Sequence, residues 1–460
     1  MEDEIRDNCG VFGIVSRGPC VYDIFNGLDF IQHRGQEYCG IATHDGKIHQ
    51  VTHHGKAGVS FTAQDLEYLK GNRGIGHVSL WERQPMSWQS RVGDISLAFS
   101  GNVINADELI GELKRQGHSF YRSYNIEVIA KIIMESDDIL SGLCNLAERI
   151  RGAYALVILS AEGIYATRDV YGFRPLMLGK DEGRTVVCSE SRAVVNLEMD
   201  IIRDVKPGEI VLIDNQGVVQ SLKQLPSPRK AYCAFEWAYT ASIDSVMDGL
   251  YVQEARNNLG RSLARRDREE GGLEADLVAP VPMSGIGHAV GYHQESGLPY
   301  QEVFLYNRYA DRSYTQSTQD ARKKMAKRKL SVLRYAVAGK RIIICDDSIV
   351  RGTQILYKVM DLKEAGAREV HVRIACPPLM YPCDFGISTR SSEELAARHF
   401  FRSGDIDSLD KLRELEQWVA DEIGADSVKY NSTAAFVAAL GLPRADLCLK
   451  CFDGAMPLSD

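Results

Sequence analysis

The sequence lacks any long hydrophobic run, since no segment approaches the ~18 uninterrupted apolar residues of a membrane-spanning helix. It also lacks a signal-peptide pattern, because residues 1–8 contain four acids, one base and no apolar stretch. Basic residues are not in excess, with 54 Lys and Arg against 62 Asp and Glu and a net charge of −8. These absences predict a cytoplasmic protein that has neither a membrane nor nucleic acid as its partner.

Cysteine is well represented, with eleven in 460 residues, but the predicted compartment is reducing. Disulfides are therefore not expected, and metal binding, catalysis or packing must account for the thiols. A hydrophobic content of 45% and a charged content of 25% are typical of a globular protein. The length exceeds one ordinary core and predicts two domains, or three.

The two halves of the chain have different patterns. In the first half, short alternating apolar segments with Asp-Gly and Asn-Gln-Gly turns indicate β-hairpins, and helical segments lie between them. After the Pro-Ser-Pro-Arg-Lys stretch at 226–230, helical patterns alternate with continuous apolar strands, which indicates a buried parallel sheet. We predict a strand-rich α+β domain over residues 9–230, with two sheets covered by helices, and an α/β domain over 231–460.

Cys9 opens the apolar segment Cys-Gly-Val-Phe-Gly-Ile, directly after the acidic leader 1–8. Free cysteine usually packs as a small hydrophobe, so burial at the start of a core strand is one interpretation. A metal ligand and a nucleophile are two others. In a fourth, the leader is removed and the new α-amino group acts as the base for its own thiol. The residues alone leave these interpretations open.

The most informative segment is 341–360, "RIIICDDSIVRGTQILYKVM". Asp346 and Asp347 follow a buried strand, at the end where ligands of open α/β sheets collect. The turn 348–353, with Gly352, opens an amphipathic helix whose first backbone amides suit a phosphate monoester. Two adjacent carboxylates suit ribose hydroxyls or a bound Mg²⁺. The alternative is an acidic loop that only caps a helix.

The motif "DDSIVRGT" resembles the phosphoribosylpyrophosphate (PRPP) signature of type I phosphoribosyltransferases, and more narrowly that of the glutamine PRPP amidotransferase family. "CGVFGI" and "QHRGQE" resemble the glutamine domain of that family. "FEWAYTASIDSVMDGLYVQEAR", "NRYADRS", "GYHQESGLPY" and "EAGAREVHVRIACPP" resemble its transferase domain. The similarity therefore extends over nearly the whole chain, in the family's order.

The resemblance implies an N-terminal Ntn-hydrolase sandwich of the class II glutamine amidotransferase type, followed by an α/β type I phosphoribosyltransferase domain. It implies that ammonia, nominally from glutamine, displaces pyrophosphate from carbon 1 of PRPP to give 5-phosphoribosylamine, the first step of de novo purine synthesis. Cys9 would become the N-terminal nucleophile once the leader is removed, and Gly101 would donate its backbone amide to the oxyanion.

The resemblance further implies the residues of the PRPP site and a homo-oligomer, either a dimer or a tetramer. The residues expected to contact PRPP are Asp346, Asp347, Ser348, Arg351, Gly352, Thr353, Arg308 and Arg312. Those expected near Mg²⁺ are Ser284, Asp346 and Asp347.

Four cysteines match the positions at which some members of this family bind a [4Fe-4S] cluster. They are Cys233, Cys383, Cys448 and Cys451. Four thiolates meet the ligand requirement of such a cluster. A zinc site on the same four cysteines is the alternative.

The glutamine site departs from the family pattern. Ser79 stands where the family has the arginine that binds the glutamine carboxylate, and Asn125 where it has the aspartate that pairs with the ammonium. Ser100 replaces the asparagine of the oxyanion hole. In the transferase half, Met283 stands where an acid is usual.

Three functions are consistent with these departures. The first is the family's glutamine-dependent reaction. The second is a diverged relative that uses free ammonia or another amide. The third is a non-catalytic PRPP-binding regulator.

Overall fold

The computed structural model describes residues 9–122, 124–307, 330–387, 389, 391–401, 406 and 408–458. The predicted leader 1–8 and the predicted PRPP contacts Arg308 and Arg312 lie outside these residues. Within the part of the chain that the structure describes, no helix is both long and apolar enough to cross a membrane.

Two antiparallel sheets stack face to face in the first half of the chain. The seven-stranded sheet has the order β11-β9-β10-β1-β4-β2-β3, and the six-stranded sheet the order β13-β12-β8-β7-β6-β5. The strands of the first sheet are β1 Gly10–Ser16, β2 Tyr38–His44, β3 Ile48–His54, β4 Arg73–Ser79, β9 Met177–Lys180, β10 Arg184–Cys188 and β11 Asp200–Asp204. Those of the second are β5 Met86–Ser90, β6 Gly93–Val103, β7 Gly152–Leu159, β8 Gly163–Arg168, β12 Glu209–Asp214 and β13 Val219–Gln224.

Helices cover the outer faces of both sheets. Their bounds are Val21–Phe30, Ala57–Ser60, Ala63–Tyr68, Ala106–Arg115, Asn125–Met134, Ile139–Arg149 and Ser191–Asn196. Small and branched side chains from both sheets, such as Val11, Ala98 and Val157, form the buried layer between them. Since the two faces of each central strand are both covered, β7 is buried along its whole length. The predicted two-sheet domain covered by helices is confirmed.

The second half of the chain is built around a parallel sheet of four strands in the order β17-β20-β21-β22. These strands are β17 Leu277–Pro280, β20 Arg341–Asp346, β21 Glu369–Ile374 and β22 Ser427–Tyr430. Short pairs are formed by β14 Tyr232–Cys233, β15 Val246–Met247, β16 Leu250–Tyr251, β18 Phe304–Tyr306, β19 Leu330–Val332 and β23 Leu447–Cys448. The continuous apolar strands of the sequence are thus buried parallel strands, as predicted.

Helices pack on both faces of the parallel sheet. The longer helices are Val252–Glu269, Ile286–Ser296, Thr353–Glu364, Leu409–Ile423 and Thr433–Leu440, and the shorter ones Arg334–Val337, Ala396–Phe400 and Lys450–Asp453. A π-helix spans Glu236–Thr240, and 3₁₀ turns lie at Gln32–Arg34, Ser392–Glu394 and Arg444–Asp446. Because the strands run parallel, the ends of β17, β20 and β21 that carry the following loops meet at one edge. Ligands of such sheets bind at that edge.

Candidate functional site

An open cavity of about 410 Å³ lies at the carboxyl edge of the parallel sheet. Its floor is formed by Asp346, the last residue of β20, and by Asp347, which follows it. Ser284 borders it from the loop after β17, and the turn 348–352 closes one side. The cavity is therefore where the strand, acid pair and helix start of the sequence motif meet.

The acid pair is buried and held by short contacts. Asp346 Oδ1 accepts hydrogen bonds from Ser284 Oγ at 3.1 Å and from the backbone N–H of Asp347 at 3.0 Å. Lys358 Nζ lies 3.1 Å from Asp346 Oδ2, and Ser348 Oγ donates to Asp347 Oδ2 at 2.5 Å. Burial, and after it the charge of Asp346, raise the pKa of Asp347 well above its usual range. A ligand that brings positive charge or hydroxyl donors would offset the burial and the mutual repulsion of the two carboxylates.

The turn after the acids borders the cavity, together with the start of the helix that follows it. Gly352 has φ +79°, a left-handed conformation that glycine adopts without steric cost, and the helix then begins at Thr353. The side chain of Arg351 is 60% exposed and pairs with Glu394 at 2.7 Å on the cavity rim. A helix start beside a cavity suits an anion such as a phosphate, because the first backbone N–H groups of a helix have no partner within the helix.

Cys9 lies at the start of β1 and is buried, with 1% of its surface exposed. Its carbonyl oxygen accepts hydrogen bonds from Arg34 Nε at 3.0 Å and from Ser100 Oγ at 2.9 Å. Gly101, next in β6, has φ +146°, and a Cβ there would lie 1.9 Å from the carbonyl oxygen of Ala153. The Ser100 hydroxyl, next to Gly101 in the chain, is thus directed at the Cys9 carbonyl, and the roles of Cys9 and Gly101 stay predictions.

A buried carboxylate lies beside the residues that replace the family's glutamine contacts. Glu82 is 2% exposed and follows Ser79 by three residues in the loop after β4. Its Oε1 accepts from the backbone N–H of Asn125 at 3.3 Å, and its Oε2 from Gln84 Nε2 at 3.1 Å. Ser79 Oγ donates to the Glu82 carbonyl at 2.5 Å. The polar groups of Ser79, Glu82 and the Asn125 backbone are therefore already paired with other groups of the chain.

Buried ion pairs join the region of Cys9 to the segment that borders the acid pair. Arg34 donates to Glu190 at 2.5 Å and to Glu236 at 2.7 Å, and Arg174 donates to the same oxygen of Glu236 at 2.7 Å. Burial opposes the charge of Arg34, but Glu236 and Glu190 outweigh it and raise the pKa of Arg34. Glu236 begins the π-helix whose Tyr239 borders the cavity. This one π-helix thus contacts both regions, through Glu236 at one end and Tyr239 near the other.

The transferase half also contacts the strand that carries Gly101. Asn102 Nδ2 donates to the carbonyl oxygen of Asp384 at 2.9 Å. The rings of Phe173 and Phe385 stack with centroids 4.1 Å apart. The loop around Cys383 is therefore packed against β6.

The four cysteines of the predicted cluster share one apolar region of the second half. Cys233 and Cys448 are directly paired across β14 and β23. The carbonyl oxygen of Cys451 accepts from the backbone N–H groups of Met380 and Tyr381 at 2.9 and 3.1 Å, close in sequence to Cys383. Burial raises the pKa of Cys233 to about 12.

Cys448 and Cys451 also lie in apolar surroundings that disfavour a charged thiolate. Burial, and after it the neighbouring cysteines, raise the pKa of both thiols well above their usual range. Among the described residues, no three His, Cys, Asp or Glu side chains are spaced to hold a single metal ion. The four cysteines share one apolar cluster of the fold, and four thiolates are the ligand set of an iron–sulfur cluster.

Comparisons with known proteins cover both halves. The amidophosphoribosyltransferase of Methanothermobacter thermautotrophicus is 36% identical over 99% of this chain and 96% of its own length, and that of Bacillus subtilis is 36% identical over 98% and 94%. The chain belongs to the amidophosphoribosyltransferase family. A family model for the glutamine amidotransferase domain matches residues 77–196.

Solved structures of this family agree over the whole chain. The Bacillus subtilis glutamine PRPP amidotransferase, complexed with ADP and GMP, superposes with a TM-score of 0.87 at 35% identity and covers 98% of this chain and 97% of its own. A structure described as the allosteric regulatory enzyme of purine biosynthesis gives the same TM-score and identity. These matches confirm the predicted family, the fold of two joined domains, and the enzyme class of a pentosyltransferase with a glutamine amidotransferase domain.

Of the residues predicted for the amidophosphoribosyltransferase site, the described ones gather in three places. The acid pair, Ser284 and the turn 348–353 border the cavity, the four cysteines share one apolar cluster, and the Cys9 carbonyl accepts from Ser100, the neighbour of Gly101 in the chain. The sequence motifs gave no indication of Lys358 or Glu82. Lys358 follows Gln354 by one helical turn, and this i,i+4 spacing on a helix that starts at a phosphate loop could have indicated it.

Proposed function

We propose that this chain makes 5-phosphoribosylamine from PRPP with free ammonia, and not glutamine, as its nitrogen donor. The observation that carries the choice of donor is that Ser79 and Asn125 offer no charged partner to an amino acid, and that both side chains already donate to groups of the chain itself, Ser79 to the Glu82 backbone carbonyl and Asn125 to Asn102. The transferase cavity supports the PRPP half of the proposal, because the acid pair and the phosphate turn both border it.

On the PRPP side, each group has a chemical task. Asp346 and Asp347 accept hydrogen bonds from the ribose hydroxyls, and the backbone N–H groups of the turn 348–353 hold the 5-phosphate. The hydroxyls of Ser348 and Thr353 add donors to the phosphate oxygens. Arg308 and Arg312 are proposed to cover the diphosphate.

The reaction needs few groups of its own. Ammonia attacks carbon 1 of the bound ribose, the bond from carbon 1 to the diphosphate oxygen breaks, and pyrophosphate leaves with that electron pair. The new ammonium group then releases one proton to solvent, which gives the amine. Holding ribose and phosphate at fixed positions makes this displacement effectively intramolecular. Mg²⁺, which oxygen groups such as those of Ser284, Asp346 and Asp347 would hold, supplies positive charge for the leaving group.

On the amide side, the lack of charged partners opposes glutamine. An α-amino acid brings a carboxylate to the place where Ser79 stands instead of arginine, and the buried Ser79 hydroxyl already donates to the Glu82 backbone carbonyl. Each charge-assisted hydrogen bond that is lost costs roughly 1.5–3 kcal/mol, or about ten- to a hundredfold in binding. The Ser100 hydroxyl donates to the Cys9 carbonyl and is therefore engaged. Gly101 then remains as the proposed donor to the oxyanion.

The test is pyrophosphate release from PRPP, measured with ammonium chloride and, separately, with glutamine. We expect ammonium to support a rate about a hundredfold higher than glutamine at equal concentration, since the loss of the charged partners weakens the binding of glutamine alone. Cys9→Ala is the matched control and should leave the ammonium-dependent rate unchanged. A wild-type rate with glutamine that equals the ammonium rate and is lost in Cys9→Ala would overturn the choice of donor.

We further propose a [4Fe-4S] cluster on Cys233, Cys383, Cys448 and Cys451. Anaerobically purified protein should be brown, with about four iron and four sulfide per chain. Cys448→Ser should lose the colour and lower the melting temperature, because β23 pairs with β14 at this residue. Cys144→Ser, at a half-buried cysteine outside the cluster, should keep both the iron and the colour. Stoichiometric zinc without iron would favour the zinc alternative.

We also propose domain bounds, an oligomeric state and a compartment for this chain. The leader 1–8, an amidotransferase domain over 9–230 and a transferase domain over 231–460 are proposed from the sequence and the separate sheets of the two halves. A cytoplasmic dimer or tetramer is proposed from the family resemblance.

A further inference from the structure

A partly buried cation that the PRPP motif does not include borders the cavity. Lys358 lies in the second turn of the helix Thr353–Glu364, and its side chain is 14% exposed. Gln354, one turn earlier, borders the same cavity, so this stripe of the helix faces the acid pair. The other cation among the described lining residues, Arg351, is 60% exposed and paired with Glu394.

The ammonium of Lys358 forms an ion pair with one carboxylate oxygen of the acid pair. Its Nζ lies 3.1 Å from Asp346 Oδ2, while Asp346 Oδ1 accepts from Ser284 and from the backbone of Asp347. Both oxygens of Asp346 therefore have donors before any ligand enters. A divalent cation arriving alone would have to displace an ammonium from a carboxylate that is 6% exposed.

We propose that Lys358 is the resident counter-cation of the acid pair and keeps a free divalent cation out of the ligand-free cavity, so that the metal enters only together with a diphosphate ligand. The physical basis is charge. Two adjacent buried carboxylates attract a divalent ion strongly, and one fixed positive charge in contact with them removes part of that attraction. A metal that arrives with a diphosphate brings its own negative ligands and does not depend on Asp346 Oδ2.

Lys358 is thus a positioning residue, which acts through Asp346. Before a ligand binds, its ammonium holds the Asp346 carboxylate in place and occupies the position beside Oδ2 that a free hydrated ion would otherwise take. The identity of the diphosphate ligand as PRPP rests on the proposed function, but exclusion of a free cation does not.

The test is a titration of the full-length protein with Mn²⁺ alone, followed by electron paramagnetic resonance, with no PRPP present. Lys358→Met should bind one Mn²⁺ about tenfold or more tightly than the wild type, because the positive charge that repels the ion is gone. Lys358→Arg should behave as the wild type. Lys363→Met, on the same helix but paired with Asp426 on the surface, is the matched control and should gain no site.

A second variant assigns the new ion to the acid pair. Lys358→Met combined with Asp347→Asn should lose the added Mn²⁺, which shows that the site includes that carboxylate. Equal Mn²⁺ affinity in the wild type and Lys358→Met would overturn the proposal, as would an added site that survives Asp347→Asn. Because no PRPP is used, the result is independent of whether the chain turns PRPP over.

Discussion

Replacing Asp346 and Asp347 together with asparagine should lower ammonium-dependent pyrophosphate release by about a hundredfold or more. A charge-assisted hydrogen bond contributes roughly 1.5–3 kcal/mol, which is about ten- to a hundredfold in binding. The two acids are adjacent and share partners, so their separate losses need not add. The measurement is the initial rate of pyrophosphate formation at fixed PRPP and saturating ammonium.

Asp410→Asn is the control for that experiment, since this acid is 87% exposed and pairs only one turn away with Arg413. It should change the rate by less than about twofold, as surface substitutions usually do. Circular dichroism of the double variant should match that of the wild type, because asparagine keeps the shape of each side chain. A double variant that retains a rate within about threefold of the wild type would remove the acid pair from the reaction.

Glutamine use should return only when Glu82 is neutralised along with the family's contacts. Ser79→Arg, Ser100→Asn and Asn125→Asp together restore the family's residues, but the new aspartate would lie beside the buried Glu82 carboxylate, which accepts from the backbone N–H of residue 125 at 3.3 Å. We expect the triple variant to release glutamate from glutamine at about the wild-type rate. Adding Glu82→Gln should raise that rate about tenfold or more, because the repulsion between the two neighbouring acids is then removed.

Two further variants make this result specific. Cys9→Ala in the background of the four substitutions should abolish glutamate release, since the thiol is the proposed nucleophile. Glu82→Gln alone should leave glutamine poorly used, because no cation has been added to bind its carboxylate. If the triple variant already hydrolyses glutamine well, Glu82 is not the obstacle and the donor argument fails at that residue.

The sequence predicted the elements that depend on local pattern. A four-residue apolar strand, two acids, a glycine turn and a helix follow one another within 341–360, so strand, site and helix could be located from adjacent residues alone. The pairing of β14 with β23, which brings Cys233 to Cys448, joins segments 215 positions apart and was reached only through family resemblance. Spacing within the chain carries no information about such a contact.

Other parts of the site depend on packing that no motif encodes. Arg34 reaches Glu236 across 202 positions, and both are buried where the two halves meet. The burial of Glu82 depends on the contact between the loop after β4 and the start of the helix Asn125–Met134, which no local pattern indicates. Lys358 is one of several lysines on exposed-looking helices, and only the fold shows that it faces Asp346.

Giving the wild-type enzyme both nitrogen donors at once tests the proposed donor most directly. PRPP is incubated with equal concentrations of ¹⁵N-ammonium and unlabelled glutamine, and the isotopic composition of the phosphoribosylamine is measured by mass spectrometry after a rapid quench. A pocket with Ser79, Asn125 and a buried Glu82 predicts that nearly all of the product carries ¹⁵N. Product that carries mainly the unlabelled glutamine nitrogen would contradict the proposed donor.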